Sequence, residues 1–132
     1  MNLEAIQKQV ERDVRIDESH LDSSAANVPI LHSKYLQMFS QCQLECLRLQ
    51  SEYETKYREK YLYYRNDFEV VLKNKAEIDV LMSGDEEMKR LRLRFEYEKT
   101  CADYLERVLK QITGLSFLIR DMIEWKKFMA GT

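Results

Sequence analysis

Apolar and aromatic residues recur at Tyr35, Phe39, Cys42, Cys46, Leu49, Tyr53, Tyr57, Tyr61 and Tyr64, always three or four positions apart. That spacing is the repeat of one face of an α-helix. Between them lie Gln43, Glu45, Arg48, Gln50, Glu52, Glu54, Lys56, Arg58 and Glu59, which can remain in water. The pattern predicts one long helix over residues 30–65 with a single seam to bury. Toward its end the seam changes from thiol and aliphatic to tyrosine, and Arg58, Lys60 and Arg65 gather beside it.

The flanking segments carry the same kind of signal. Leu3, Ile6, Val10 and Val14 define a short amphipathic helix over 3–14. Asp17 is a suitable N-cap for the next segment, in which Leu21, Ala25 and Val28 carry a helical seam to Pro29. Proline lacks a backbone donor and disfavours helical geometry before it, so a kink or a brief break is expected there. The pattern stops at Asn66 and Asp67; residues 68–72 are rich in β-branched side chains and read as extended or a short strand. One or two helical turns are expected over 76–82. Ser83-Gly84-Asp85-Glu86 then reads as a capping box, with Ser83 and Glu86 satisfying each other's backbone donors. Met88, Leu91, Phe95, Cys101, Leu105, Val108, Leu109 and Ile112 define the next helix, which Thr113-Gly114 is expected to end.

The last segment, 115–129, is apolar most of the way round, with only Arg120, Asp121, Glu124, Lys126 and Lys127 charged. Such a helix has more apolar surface than one neighbour can cover. Leu115, Leu118, Ile119, Met122, Ile123, Trp125 and Phe128 are therefore candidates for contact with further copies of the chain. The alternative is a central core helix of a monomeric bundle.

Composition narrows the class. With 132 residues, 45% hydrophobic, 33% charged, one proline and three glycines, the chain fits one small, helix-rich domain. Its formal net charge of −2 gives no global attraction to nucleic acid, so any such binding must come from a local patch or from multiplying a weak one. No apolar run approaches the roughly 20 residues of a membrane span, and Met1-Asn2-Leu3-Glu4 does not open a signal peptide. Cys42, Cys46 and Cys101 read as free thiols in a reducing cytoplasm. His20 and His32 are far apart, the glycines are isolated, and Cys42 with Cys46 lacks a second pair of metal ligands. The sequence argues against an enzyme and implies no cofactor.

Two basic clusters remain. Lys89, Arg90, Arg92 and Arg94 place four cations within two helical turns, which helix–helix ion pairing or a solvated face explains at least as well as phosphate contact. At the end of the long helix, Arg58, Lys60 and Arg65 interleave with Tyr57, Tyr61, Tyr63 and Tyr64, the pairing of cations and aromatic faces that single strands use. Tyr57, Tyr61 and Tyr64 continue the seam and read as packed; Tyr63 is off it and is the better stacking candidate. On a straight helix Arg58 and Arg65 share one flank of the seam, and Lys60 lies about 160° from Arg58 at roughly 100° per residue.

The chain resembles the UvsY family of phage recombination mediators, in one register over nearly its whole length. The likeness lies in Leu3-Glu4, Asp13-Val14, Ile16-Asp17, Leu21, Ala25-Ala26-Asn27, Ser33-Lys34, Leu47-Arg48 and Tyr63-Tyr64. It resumes at Lys75-Ala76-Glu77-Ile78, Phe117-Leu118-Ile119-Arg120 and Phe128-Met129-Ala130-Gly131. The family's basic-x-basic pair before a tyrosine doublet is matched by Arg58-Glu59-Lys60 before Tyr63-Tyr64, with lysine and arginine exchanged and Leu62 where the motif has an acid.

The resemblance implies an all-α protein, an elongated bundle whose C-terminal helix assembles a ring of six or seven copies. It implies binding of single-stranded DNA through the pair matching Arg58 and Lys60. It further implies contacts with a RecA-like recombinase and a single-strand-binding protein, in the cytoplasm of an infected bacterial host. On this reading residues 1–113 form a bundle with the DNA patch and 115–130 the oligomerisation helix, all within one domain. Two functions stay open: a DNA-binding mediator, with Arg58, Lys60, Tyr63, Arg65 and the Lys89–Arg94 cations as contacts, or an oligomeric scaffold whose cations are merely solvated.

Overall fold

The computed structural model describes residues 1–68 and 74–131. It is all-α, with no strand among the described residues. Helix α1 spans Leu3–Asp13, α2 Leu21–Leu62, α3 Lys75–Gly84 and α4 Glu86–Met129. A π-helical turn, Tyr63–Asp67, extends α2. Two compact units are built from these elements, residues 1–41 with 101–132 and residues 42–100, and α2 and α4 each contribute to both.

In the first unit Ile6 and Val10 of α1, Leu21, Val28, Leu31 and Tyr35 of α2, and Cys101, Leu105, Val108, Ile112, Leu115 and Ile119 of α4 are buried. The steps between these positions are those of one helical face, so each helix buries most of its predicted seam, with Ala25 of α2 left exposed. Tyr35 is fully buried, and its hydroxyl donates to Asp13 Oδ2 at 2.8 Å. Lys34 reaches the same oxygen at 2.6 Å. Burial pushes the Asp13 carboxyl up, but the hydrogen bonds from Lys34 and Tyr35 outweigh it and hold the group below its ordinary range. Asn2 caps α1 by accepting from the Ala5 N–H at 3.1 Å. Asp17 lies ahead of α2 rather than on its boundary: its carboxylate accepts from the Ser19 N–H at 3.0 Å, and the helix begins at Leu21. Lys126 of α4 donates to the Glu18 carbonyl.

In the second unit Cys42 and Leu49 of α2, Ile78 and Met82 of α3, and Met88 and Leu91 of α4 are buried. Tyr53, Tyr57, Tyr61 and Tyr64 pack, partly buried, against Ile78, Met82 and Met88.

Several boundaries differ from those expected of the sequence. Pro29 sits inside one continuous α2, not at a break. The carbonyl its ring leaves without a donor belongs to Ala25, which is exposed, so water can satisfy it, while buried Val28 and Leu31 hold the helix on the other side. The α-helical part of α2 stops at Leu62 instead of Arg65. The cap of α4 is Asp85, whose Oδ1 accepts from the Met88 N–H at 3.1 Å. Ser83 instead donates to the Val80 carbonyl at 2.7 Å, so there is no Ser83–Glu86 box. Thr113-Gly114 does not end a helix, because α4 runs through it. Ile112, Leu115 and Ile119 keep one buried register across the glycine, and that burial exceeds the roughly 1 kcal/mol a helical glycine costs. The extended segment expected over 68–72 lies, apart from Phe68, outside the described residues.

Candidate nucleic-acid interface

The end of α2 is organised by its tyrosines. With Tyr53, Tyr57 and Tyr61 turned toward α3 and α4, the residues between them fall on opposite flanks, as the wheel anticipates. Lys60 faces the start of α4, with Nζ 3.1 Å from Glu87 Oε2 and 3.4 Å from Asp85 Oδ2. Lys56, one turn earlier, pairs with Glu87 at 3.2 Å and with Glu59 at 3.4 Å. The hydrogen bond to Glu87 is the main reason the Lys60 ammonium is held above the usual lysine range. In return, the bond from Lys60 holds the Glu87 carboxyl low.

Asp85 is the hub of this flank. It caps α4, accepts from the Tyr64 hydroxyl at 2.7 Å and faces Lys60. Burial pushes its carboxyl up, but the bonds from Tyr64 and the Met88 N–H, with the Lys60 charge, hold it below the ordinary aspartate value. The Tyr64 hydroxyl is correspondingly pushed up, first by its bond to Asp85 and then by burial.

Arg58 lies on the other flank, exposed and without an ion pair among the described residues. It lines an open groove of about 730 Å³ with Tyr53, Glu54, Tyr57, Tyr61, Leu62 and Lys75. Arg65 is exposed in the π turn and also lacks an ion pair among the described residues. Tyr63 is 46% exposed, its ring edge-on to Tyr64 at 5.2 Å and to Phe68 at 6.2 Å. The residues predicted for this patch are thus divided. Arg58, Tyr63 and Arg65 are accessible, whereas Lys60 is held by two carboxylates.

The second basic cluster is divided as well. Arg90 and Arg94 line a groove of about 330 Å³ with Leu93, Tyr97 and Glu98. Arg92 lines a separate one with Gln50, Tyr53, Glu54, Phe95 and Glu96. Lys89 is partly buried. None of the four cations forms an ion pair among the described residues, so helix–helix ion pairing does not account for the cluster.

The C-terminal part of α4 presents two faces. Leu115 and Ile119 are buried within the chain, so these two of the expected oligomerisation residues are unavailable to a second copy. Met122 and Ile123 are partly buried, while Leu118, Trp125 and Phe128 are 50%, 63% and 70% exposed. The Trp125 and Phe128 rings stack with centroids 5.7 Å apart. No helix among the described residues is long and apolar enough to cross a membrane, and none of their His, Cys, Asp and Glu side chains form a cluster of three that could hold a metal.

Residues 9–132 match the model of a family described as the recombination, repair and ssDNA binding protein UvsY. The chain belongs to the UvsY family. Among curated relatives, the recombination protein uvsY of Enterobacteria phage T4 is 26% identical over 136 residues, covering 99% of both chains. A crystal structure of the bacteriophage T4 recombination mediator protein UvsY, lattice type IV, is similar with a TM-score of 0.90 at 26% identity, covering 98% of this chain and 99% of that one. The lattice type II structure gives 0.86 at 27% identity, covering 98% of each.

Membership of the UvsY family fits the fold. What sequence reasoning missed is the acidic side of Lys60 and the presence of Lys75 beside Arg58. Both depend on where α3 and α4 return against α2. Asp85, Glu86 and Glu87 are visible in the sequence as a run of acids, but there they read only as partners of their own helix dipole.

Proposed function

We propose that this chain is a phage recombination mediator. It binds single-stranded DNA and promotes loading of a RecA-like recombinase onto strands coated by single-strand-binding protein, in the cytoplasm of an infected bacterial cell. The observation that carries this reading is the end of α2. Arg58, Tyr63 and Arg65 are all exposed there, and the two arginines have no ion pair among the described residues, in a chain whose family is described as ssDNA binding. Arg90, Arg92 and Arg94 add exposed cations, with Lys89 partly covered beside them.

One such patch on a chain of net charge −2 binds weakly. Copies joined through Leu118, Met122, Ile123, Trp125 and Phe128, six or seven to a ring, present several patches to one strand. Linked weak sites gain by effective concentration. A strand held at several points is bent away from the path it takes on its coating protein, which weakens that grip and exposes DNA to the recombinase.

Fluorescence anisotropy on a labelled oligodeoxynucleotide at several salt concentrations tests the reading. Each phosphate contact in a single strand contributes about −0.7 to the slope of log K against log salt. Arg58→Ala with Lys60→Ala should flatten that slope, and an unchanged slope removes the site. Trp125→Glu with Phe128→Glu should lower the mass in sedimentation and weaken DNA binding while leaving helicity intact, because both side chains are exposed. The second reading, a helical scaffold that does not bind DNA, is favoured by the pairing of Lys60 with Asp85 and Glu87. A complete lack of anisotropy change would establish it.

A further inference from the structure

The groove beside Arg58 has a lining that is unusual for a solvated helix flank, and phosphate contact alone gives it no role. Tyr53, Tyr57 and Tyr61 stand in one row, with successive ring centroids 6.3 and 6.4 Å apart and ring planes 33° and 25° from parallel. All three are only partly buried, so the row that packs on Ile78, Met82 and Met88 also borders the open groove. At about 730 Å³, the groove falls in the size range of small-ligand sites.

Two cations border it from different elements, Arg58 on α2 and Lys75 at the start of α3. Neither has an ion pair among the described residues. Glu54 contributes one carboxylate to the lining, which repels phosphate and accepts from base N–H groups. Flat aromatic surface flanked by cations suits a ligand that is itself flat and apolar in one part and anionic in another. We propose that this groove takes nucleobases of the bound single strand, with bases against Tyr57 and Tyr61 and the adjoining phosphates at Arg58 and Lys75. The inference rests on the single-strand-binding reading and adds to it a base-accepting surface and a new contact, Lys75.

Because every base has an aromatic face, such a site is tolerant of sequence but requires that bases be present. The test compares two labelled oligomers of equal length and charge, oligodeoxythymidylate and an abasic deoxyribose-phosphate strand, by anisotropy at fixed salt. The unsubstituted chain should prefer the thymidylate on the order of tenfold. Tyr61→Leu should abolish the preference while leaving abasic affinity unchanged. Lys75→Ala should weaken both and flatten the salt slope by about 0.7. Equal binding of the two strands, or an equal loss on both from Tyr61→Leu, overturns the groove assignment but leaves single-strand binding standing. If neither strand binds, the parent reading fails and the assignment falls with it. Photocrosslinking of an iododeoxyuridine strand to the unsubstituted chain needs no variant. Adducts on Tyr57 or Tyr61 are expected, and adducts confined to Tyr63 overturn the proposal.

Discussion

Lys60 Nζ lies 3.1 Å from Glu87, closer than to its other carboxylate partner, Asp85, at 3.4 Å. A DNA phosphate that engages Lys60 must therefore compete with two resident carboxylates. Glu87→Gln removes one competitor and leaves the amide able to accept a hydrogen bond. Its expected result is a several-fold rise in single-strand affinity, with the salt slope steeper by up to about 0.7. Anisotropy across a salt series checks this, and an unchanged slope would remove Lys60 from the DNA contacts.

Asp85→Ala should be the most damaging single change at the end of α2. It removes the cap of α4 and leaves the partly buried Tyr64 hydroxyl without its acceptor. Loss of an aspartate cap costs about 1 kcal/mol, and an unsatisfied partner adds about 1–3. A urea melt should show the midpoint falling with little change in slope.

Acid should weaken both units through the same physics. Asp13 and Asp85 are each held below the ordinary aspartate value of 3.8 in the folded chain. A carboxyl whose folded pKa is depressed contributes stability that is fully present above the unfolded value. That contribution is lost as pH falls through the folded one. Stability at pH 7 and pH 6 should therefore match as far as these groups decide it, and decline from about pH 5 downward. Asp13→Asn with Asp85→Asn should flatten that acid limb in denaturant melts.

Tyr35→Phe isolates one bond of the first unit. The hydroxyl is fully buried with Asp13 as acceptor, and Asp13 keeps Lys34 when it is gone. The expected loss is about 1 kcal/mol, the net worth of one hydrogen bond. Asp13→Ala should cost more, since it leaves the buried hydroxyl unsatisfied.

Gly114→Ala should stabilise. The residue is inside α4, and a Cβ there would meet nothing within 4 Å. The gain is about 0.5–1 kcal/mol from helix propensity, readable as a higher thermal midpoint. A destabilised variant would mean that α4 is interrupted at 113–114.

The seam from Tyr35 to Tyr64 was legible because helical periodicity is a local signal, repeated in this chain over nearly thirty residues. The ends of elements were less so. Ser83 and Asp85 are both competent caps, but α3 runs on through Ser83 to Gly84, which leaves Asp85 to cap α4. Thr113-Gly114 has the local chemistry of a helix end, yet the buried register of Ile112, Leu115 and Ile119 carries the helix through. Beyond Leu62 the wheel loses its phase, because a π turn takes more residues than an α turn. Arg58 and Lys60 could be placed on opposite flanks from spacing alone. That one borders a tyrosine groove with Lys75 and the other meets Asp85 and Glu87 is a result of the return of the chain, which periodicity does not encode.

The side-chain bonds that tie elements together fall into two classes of loop closure. Asp13 to Lys34 and Tyr35 spans 21 and 22 residues, Tyr57 to Asp79 spans 22, and Tyr64 to Asp85 spans 21. Cys42 to Glu98 spans 56 and Glu18 to Lys126 spans 108. Short closures lose less chain entropy and form first. Refolding should therefore begin at two separate hairpins, one around residues 13–35 and one around residues 57–85. Substitutions at Asp13 or Asp85 should slow refolding, while those at Lys126 should mainly hasten unfolding.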